Sequence, residues 1–115
     1  MSAASMFPRK DWSAARRRAL RPTEVVTGLS ALPGWTLAGD GAEVAIEKTF
    51  RFANWHETIA FVNAVAWIAH AQDHHPDLSV HYGRCVVRLN THDVQGISGT
   101  DFECAARIDA LLATP

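Results

Sequence analysis

The sequence lacks an apolar run long enough to cross a membrane, and it also lacks an apolar signal-peptide core. Its 115 residues include only two cysteines, Cys85 and Cys104, with no C-x-x-C pattern. These absences argue against a membrane protein and predict a cytoplasmic protein in which both thiols are small core residues. A chain of this length, 48% hydrophobic and 20% charged, can form one globular domain around one core.

Positive charge is scarce in most of the chain. Six of the eleven basic residues lie in the first 21 positions, and from Pro22 onward five basic residues face eleven acidic ones, a balance of −6. The electrostatics of this body therefore predict no nucleic-acid partner. We predict a basic, flexible extension over residues 1–21 and a folded domain over residues 22–115. The composition of the extension also suits an organellar transit peptide, which remains a second interpretation.

Hydrophobic spacing predicts seven secondary-structure elements. Two segments, 35–38 and 44–52, read as a hairpin, and Asn54 caps a long helix that ends near Gln72. The other predicted elements are a first helix capped by Thr23, strands over 78–82 and 85–91, and a last helix opened by Ser98 to Asp101. The order α-β-β-α-β-β-α predicts an α+β fold, with three helices on one face of a four-stranded antiparallel sheet.

The core-facing helix positions follow from the same spacing. The buried positions that we predict are Val25, Val26, Leu29 and Leu32 on the first helix, Ile59, Val62, Val65, Ala66 and Ala69 on the second, and Ala105, Ile108, Leu111 and Leu112 on the third.

Histidines and carboxylates are concentrated where the long helix and the last strand end. The first group is Asp73-His74-His75-Pro76-Asp77, and the second is Asn90-Thr91-His92-Asp93. Imidazole both gives and takes a proton near neutral pH, so histidines from two elements suit chemistry that needs an acid and a base together. Adjacent His74 and His75 point to different sides, and Pro76 ends the helix at a fixed angle.

A zinc site is the alternative use of three histidines with carboxylates nearby. Two features argue against it: His74 and His75 diverge, and common zinc patterns separate their ligands by two or more residues. We therefore predict no metal.

In these motifs the chain resembles the pterin-4a-carbinolamine dehydratases. The matching residues are His70-Ala71-Gln72-Asp73-His74-His75-Pro76-Asp77, then Tyr82, then Thr91-His92-Asp93-Val94-Gln95-Gly96-Ile97-Ser98, and Asp101. Weaker similarity reaches back through Phe61-Val62-Asn63 and Phe50-Arg51-Phe52 to Leu32-Pro33-Gly34-Trp35, so that only the basic N-terminus lies outside it. His70 stands where better-known members have a glutamate, and Leu78 replaces an aromatic residue common in the family.

The resemblance implies a cofactor-free hydro-lyase that removes water from 4a-hydroxytetrahydropterin to give the quinonoid dihydropterin, in the recycling of tetrahydrobiopterin. It implies that His74 and His92 act as acid and base on either side of the pterin ring, and that His75 helps to hold the pterin. The substrate-binding residues that it implies are His70, Asp73, Pro76, Asn90, Thr91, Asp93 and Asp101. For Asp101 a helix-capping role is an equal alternative.

Two further expectations come from the resemblance. Proteins similar to these dehydratases also serve as non-catalytic partners, as dimerisation cofactors of a transcription factor or as RuBisCO assembly factors, and such a scaffold is the alternative function. A homodimer formed by pairing of sheet edges, or a homotetramer, is the expected assembly.

Overall fold

The computed structural model describes residues 7–11 and 17–113. The elements are α1 (Pro22–Ser30), β1 (Thr36–Ala38), β2 (Ala45–Arg51), α2 (Trp55–Gln72), β3 (Asp77–His81), β4 (Arg84–Leu89) and α3 (Gly99–Ala110). Short 3-10 turns at Gly41–Glu43 and His92–Val94 complete the order. The predicted element order and the α+β class are therefore confirmed.

The four strands form one antiparallel sheet in the order β1-β2-β4-β3. The register places Ile46 opposite Leu89, and it places Val87 opposite Leu78. Because alternate residues of a strand share a face, this register brings the apolar residues of the three longer strands to one side of the sheet. All three helices contribute buried residues to the cluster on that side, including Val25 of α1, Val65 of α2 and Ile108 of α3.

Helix α1 begins at Pro22, not after a cap at Thr23 as predicted. Its N-cap is Arg21, whose backbone N–H donates to the Glu24 carboxylate at 3.0 Å. Proline suits the first helical position because the nitrogen there needs no intrahelical partner. The predicted burial of Val26 is also wrong, since the side chain is 68% exposed.

Helix α2 begins at the predicted cap, where the Glu57 N–H donates to Asn54 Oδ1 at 2.9 Å. Its buried stripe is rotated by about one residue from the predicted one, and consists of Thr58, Phe61, Val65, Ile68, Ala69 and Gln72. Ile59 and Val62 are only half-buried, and Ala66 is exposed. The rotation places Phe61 against the rings of Phe50 and Phe52, at centroid distances of 4.7 and 5.0 Å, and lets the Thr58 hydroxyl donate to the Tyr82 carbonyl.

Helix α3 also differs from the prediction at its C-terminal end. Ala105 and Ile108 are fully buried, as predicted, but Leu111 and Leu112 are exposed because the helix ends at Ala110.

One charged residue, Lys48, interrupts the apolar face of β2. Its ammonium group donates to Asp109 Oδ1 at 2.9 Å and to the Pro33 carbonyl at 3.1 Å. The Trp35 indole N–H donates to the other oxygen of Asp109 at 3.0 Å. The Asp109 carboxylate therefore links β2, α3 and the segment that precedes β1.

We expect Asp109→Ala to lower the free energy of unfolding by about 1–3 kcal/mol, because the Lys48 and Trp35 donors lose a shared, partly buried acceptor. The matched control is Glu103→Ala on the same helix, whose partners Lys10 and Arg107 form surface ion pairs, and its cost should be below about 1 kcal/mol. Urea denaturation measures both values, and equal losses would contradict the role assigned to Asp109.

The two cysteines are free and fully buried, as the sequence predicted for core residues. Burial raises the pKa of the Cys104 thiol to about 12, with a smaller contribution from the nearby Asp101 charge. Burial also raises the pKa of Cys85.

We therefore expect neither thiol of the native protein to react appreciably with Ellman's reagent at pH 8, because the thiolate is the reactive form. Both thiols should react once urea unfolds the chain. Since the unfolded thiols ionise at lower pH than the folded ones, stability should also fall as the pH rises above about 9. Rapid reaction of the native protein with Ellman's reagent would contradict the burial of the two thiols.

Candidate active site

A cavity of about 210 Å³ opens where the end of α2 meets the end of β4. The residues that line it are Arg17, Asp73, His74, His75, Asn90, Thr91, His92 and Asp93. The two histidine-containing groups, which are separate in the sequence, thus meet in one cavity wall.

The end of α2 positions the first group. Asp73 is the C-cap in the left-handed conformation, at φ 47°, and the His74 N–H donates to the Ala69 carbonyl at 3.1 Å. Aspartate tolerates this conformation better than most side chains. Because Pro76 cannot continue the helix, the chain turns into β3. His74 is buried and His75 exposed, which agrees with the predicted divergence of the pair.

The segment that follows β4 positions the second group. Thr91 forms an isolated β-bridge with Gly96, and the Thr91 N–H donates to the Gly96 carbonyl at 2.9 Å. The 3-10 turn His92–Val94 lies between them, and its C-cap Gln95 is left-handed at φ 53°. This tight loop holds His92 and Asp93 exposed at the rim of the cavity.

His74 is bound to a buried carboxylate. Its Nε2 lies 2.5 Å from Asp101 Oδ1, and Asp101 is fully buried. The second oxygen, Oδ2, accepts hydrogen bonds from the Thr91 hydroxyl at 2.7 Å and from the Ser98 backbone N–H at 3.0 Å. A buried carboxylate with three donors is well satisfied and fixes the orientation of the imidazole.

Asp101 has the capping role that the sequence offered as one alternative, and it also contacts His74. It is the third residue of α3 and completes a capping box with Ser98. It also touches a predicted catalytic histidine. It lies behind His74 and is not among the residues that line the cavity, so its position supports a positioning role and not the substrate contact expected from the resemblance.

Two other predicted binding residues, His70 and Pro76, are also absent from the cavity lining. His70 Nε2 lies 2.9 Å from the Phe7 carbonyl oxygen, since its position on α2 faces the N-terminal segment. Leu78, which replaces a common aromatic residue, packs against the core.

Sequence reasoning missed Arg17, which it had placed in a flexible extension. Arg17 Nη2 lies 2.8 Å from Asp93 Oδ2, and Arg9 Nη1 lies 3.5 Å from Asp73 Oδ1. The Lys10 N–H donates to the Ala71 carbonyl and the Leu20 N–H donates to the Ile97 carbonyl, each at 2.7 Å. The described parts of residues 1–21 thus lie against the domain, while the domain boundary at residue 22 stays a prediction. No pattern in the sequence distinguishes Arg17 from its basic neighbours.

Within residues 7–11 and 17–113, no group of three or more His, Cys, Asp or Glu side chains is arranged to hold a metal ion. No helix in this part of the chain has both the length and the hydrophobicity to span a bilayer.

Comparison with known proteins identifies the family. Residues 18–111 match the family described as pterin 4 alpha carbinolamine dehydratase. The chain belongs to this family. A Paracidovorax citrulli protein with the provisional name pterin-4-alpha-carbinolamine dehydratase is 75% identical over 113 residues, covering 98% of this chain and 97% of the relative. A Chromobacterium violaceum protein with the same provisional name is 55% identical over 87 residues, covering 76% of this chain and 77% of the relative.

Two solved structures share this fold. A Brucella melitensis protein described as a transcriptional coactivator/pterin dehydratase superimposes with a TM-score of 0.78 at 29% identity, covering 84% of this chain and all of the other. A pterin dehydratase-like protein, described as a RuBisCO assembly factor in the alpha-carboxysome, has a TM-score of 0.61 at 23% identity. The match covers 71% of this chain and 93% of the assembly factor, and at that sequence identity it shows only that the fold is shared.

We expect Asp101→Ala to lower the free energy of unfolding by about 3–5 kcal/mol, because three buried donors lose their acceptor. Asp93→Ala is the matched control: the Asp93 side chain is 71% exposed, and loss of its ion pair with Arg17 should cost below about 1 kcal/mol. Chemical denaturation of both variants checks the difference. A loss in Asp101→Ala as small as in the control would show that the buried network does not stabilise the fold.

Proposed function

We propose that the protein is a 4a-hydroxytetrahydrobiopterin dehydratase, which eliminates water from the pterin 4a-carbinolamine to give the quinonoid dihydropterin. Family membership supports the dehydratase class. The observation that carries the proposal is the meeting of His74 and His92 in one cavity wall, with His74 oriented by buried Asp101.

The reaction requires one proton donor and one proton acceptor. Hydroxide is a poor leaving group, so the 4a-oxygen must receive a proton as the C–O bond breaks. The electron pair of the N5–H bond forms the new C4a=N5 double bond while a base removes the N5 proton. One proton is given and one is taken, so water leaves without a metal, an oxidant or a covalent intermediate.

His74 is suited to one of these two roles. Because Nε2 is bound to Asp101, the proton exchanged with the substrate is the one at Nδ1. With Nε2–H donating to the carboxylate, the neutral ring carries its lone pair at Nδ1 and can take a proton there. The negative charge of Asp101 then stabilises the imidazolium until the proton is returned. His92, at the exposed rim, would exchange the second proton.

The other lining residues would bind the pterin. Asp73 and Asp93 are acceptors for the ring N–H and amino groups of the heterocycle, and His75 would help to hold the ring. The Asn90 side chain also has a structural contact, because its amide donates to the Val44 carbonyl at 2.5 Å and so links the residue after β4 to the residue before β2.

We expect His74→Ala and His92→Ala each to lower the rate of 4a-hydroxytetrahydropterin dehydration by at least about 10²-fold, since a positioned acid or base contributes that much. The double variant should approach the spontaneous rate. A hydroxylase generates the 4a-hydroxytetrahydropterin in situ, and absorbance follows the disappearance of this substrate. The exposed histidines His56 and His81 provide control variants, each replaced by Ala. Circular dichroism shows whether each variant is folded.

Two results would contradict the proposal. Unchanged rates in both single variants would exclude these histidines as acid and base. A folded wild-type protein that does not accelerate dehydration would favour the second candidate, a non-catalytic scaffold for a protein partner. This candidate is supported by the similarity to the Brucella melitensis protein that is described as a transcriptional coactivator/pterin dehydratase.

Location and assembly complete the proposal. We propose a cytoplasmic homodimer or homotetramer with no nucleic-acid partner. Strands β1 and β3 are the outer strands of the sheet in the single chain, and pairing of either edge across a two-fold axis would cover its unpaired backbone groups.

A further inference from the structure

Arg17 contributes a permanent positive charge to the wall of the candidate active site. Its side chain is 21% exposed, whereas that of its partner Asp93 is 71% exposed. An arginine that only neutralised a rim carboxylate would normally extend into solvent. Arg17 is instead mostly enclosed, beside the three histidines.

The backbone next to Arg17 is fixed independently of Asp93. The Leu20 N–H donates to the Ile97 carbonyl at 2.7 Å, in the loop that follows β4. This backbone hydrogen bond lies outside the cavity lining, and it places the chain at Arg17 beside the cavity.

Side by side, the Arg17 guanidinium and the Asp93 carboxylate present hydrogen-bond donors and acceptors. The aminopyrimidinone edge of a pterin carries the complementary series, namely a carbonyl oxygen, a ring N–H and an amino group. A carboxylate alone accepts from the N–H and amino groups but repels the carbonyl oxygen. An adjacent guanidinium removes this conflict, and its planar N–H groups suit a planar edge.

We propose that Arg17 and Asp93 together recognise the aminopyrimidinone edge of the pterin: Arg17 donates to the ring carbonyl while Asp93 accepts from the adjacent N–H and amino groups. The inference rests on the proposed function and makes Arg17 a specificity-determining residue. Since this edge does not change during dehydration, the pair binds substrate and transition state alike.

We expect Arg17→Gln to raise KM about 10- to 100-fold, corresponding to the loss of a charge-assisted hydrogen bond. The kcat should change little, because uniform binding is what is lost. Arg17→Lys should restore only part of the affinity. Arg18→Ala is the matched control, since it removes a neighbouring arginine that binds Glu24 outside the cavity, and its KM should stay within about twofold of wild type.

A binding measurement without turnover tests the recognition directly. The two probes are pterin and 2,4-diaminopteridine, in which an amino group replaces the ring carbonyl and the adjacent ring nitrogen no longer carries a hydrogen; ligand fluorescence reports Kd. Wild type should prefer pterin by about tenfold or more, because the diamino compound presents a donor to the guanidinium and offers no ring N–H to Asp93. Arg17→Gln should reduce this preference to the part that Asp93 supplies, whereas Arg18→Ala should keep all of it. A purely structural role for Arg17 would weaken both ligands equally.

Each outcome has a defined meaning. If Arg17→Gln keeps the wild-type preference, or weakens both ligands by the same factor, the inference is overturned while wild-type turnover still supports the proposed function. If wild type neither turns over the carbinolamine nor binds pterin, both proposals fail. A reduced preference in Arg17→Gln and an unchanged one in Arg18→Ala, each with a normal circular dichroism spectrum, support the inference.

Discussion

The hydrogen bond between His74 and the buried Asp101 carboxylate is the contact on which the rest of the site depends. Full burial of a carboxylate is unfavourable unless its oxygens are satisfied, and here the donors come from the end of α2, the end of β4 and the start of α3. One carboxylate therefore holds three elements together and orients an imidazole. The same bonds serve the fold and the proposed chemistry.

The cavity wall combines a rigid inner part with an exposed rim. His74 and Thr91 are buried and bonded to Asp101, whereas His75, His92 and Asp93 are exposed. The reacting groups of the proposed elimination thus differ in their exposure to solvent. A planar heterocycle that entered the cavity would meet a buried imidazole inside and exposed polar groups at the rim. Arg17 brings the N-terminal segment to this rim, so residues that composition had assigned to an extension become part of the site.

Local patterns in the sequence predicted most of the fold. Period-two alternation in β2 and β4, and the caps at Asn54 and Ser98, depend on neighbouring residues only, and each was found where the pattern indicated it. The errors came where tertiary contacts decide. The buried stripe of α2 is rotated because Phe61 packs on Phe50 and Phe52. Tertiary contacts also explain how a lysine fits on the apolar face of β2, since the Lys48 ammonium group pairs with Asp109 of α3.

The sequence by itself determined the element order, the family resemblance and the two histidine groups, because these depend on spacing along the chain. Only the tertiary structure decided that His74 pairs with Asp101, that His70 turns towards Phe7, and that Arg17 enters the cavity. The physical reason is that these contacts join residues between 27 and 76 positions apart, where no periodicity reports which side chains will meet. Packing of the helices on the sheet brings these side chains together, and this packing depends on residues from several distant stretches of the chain at once.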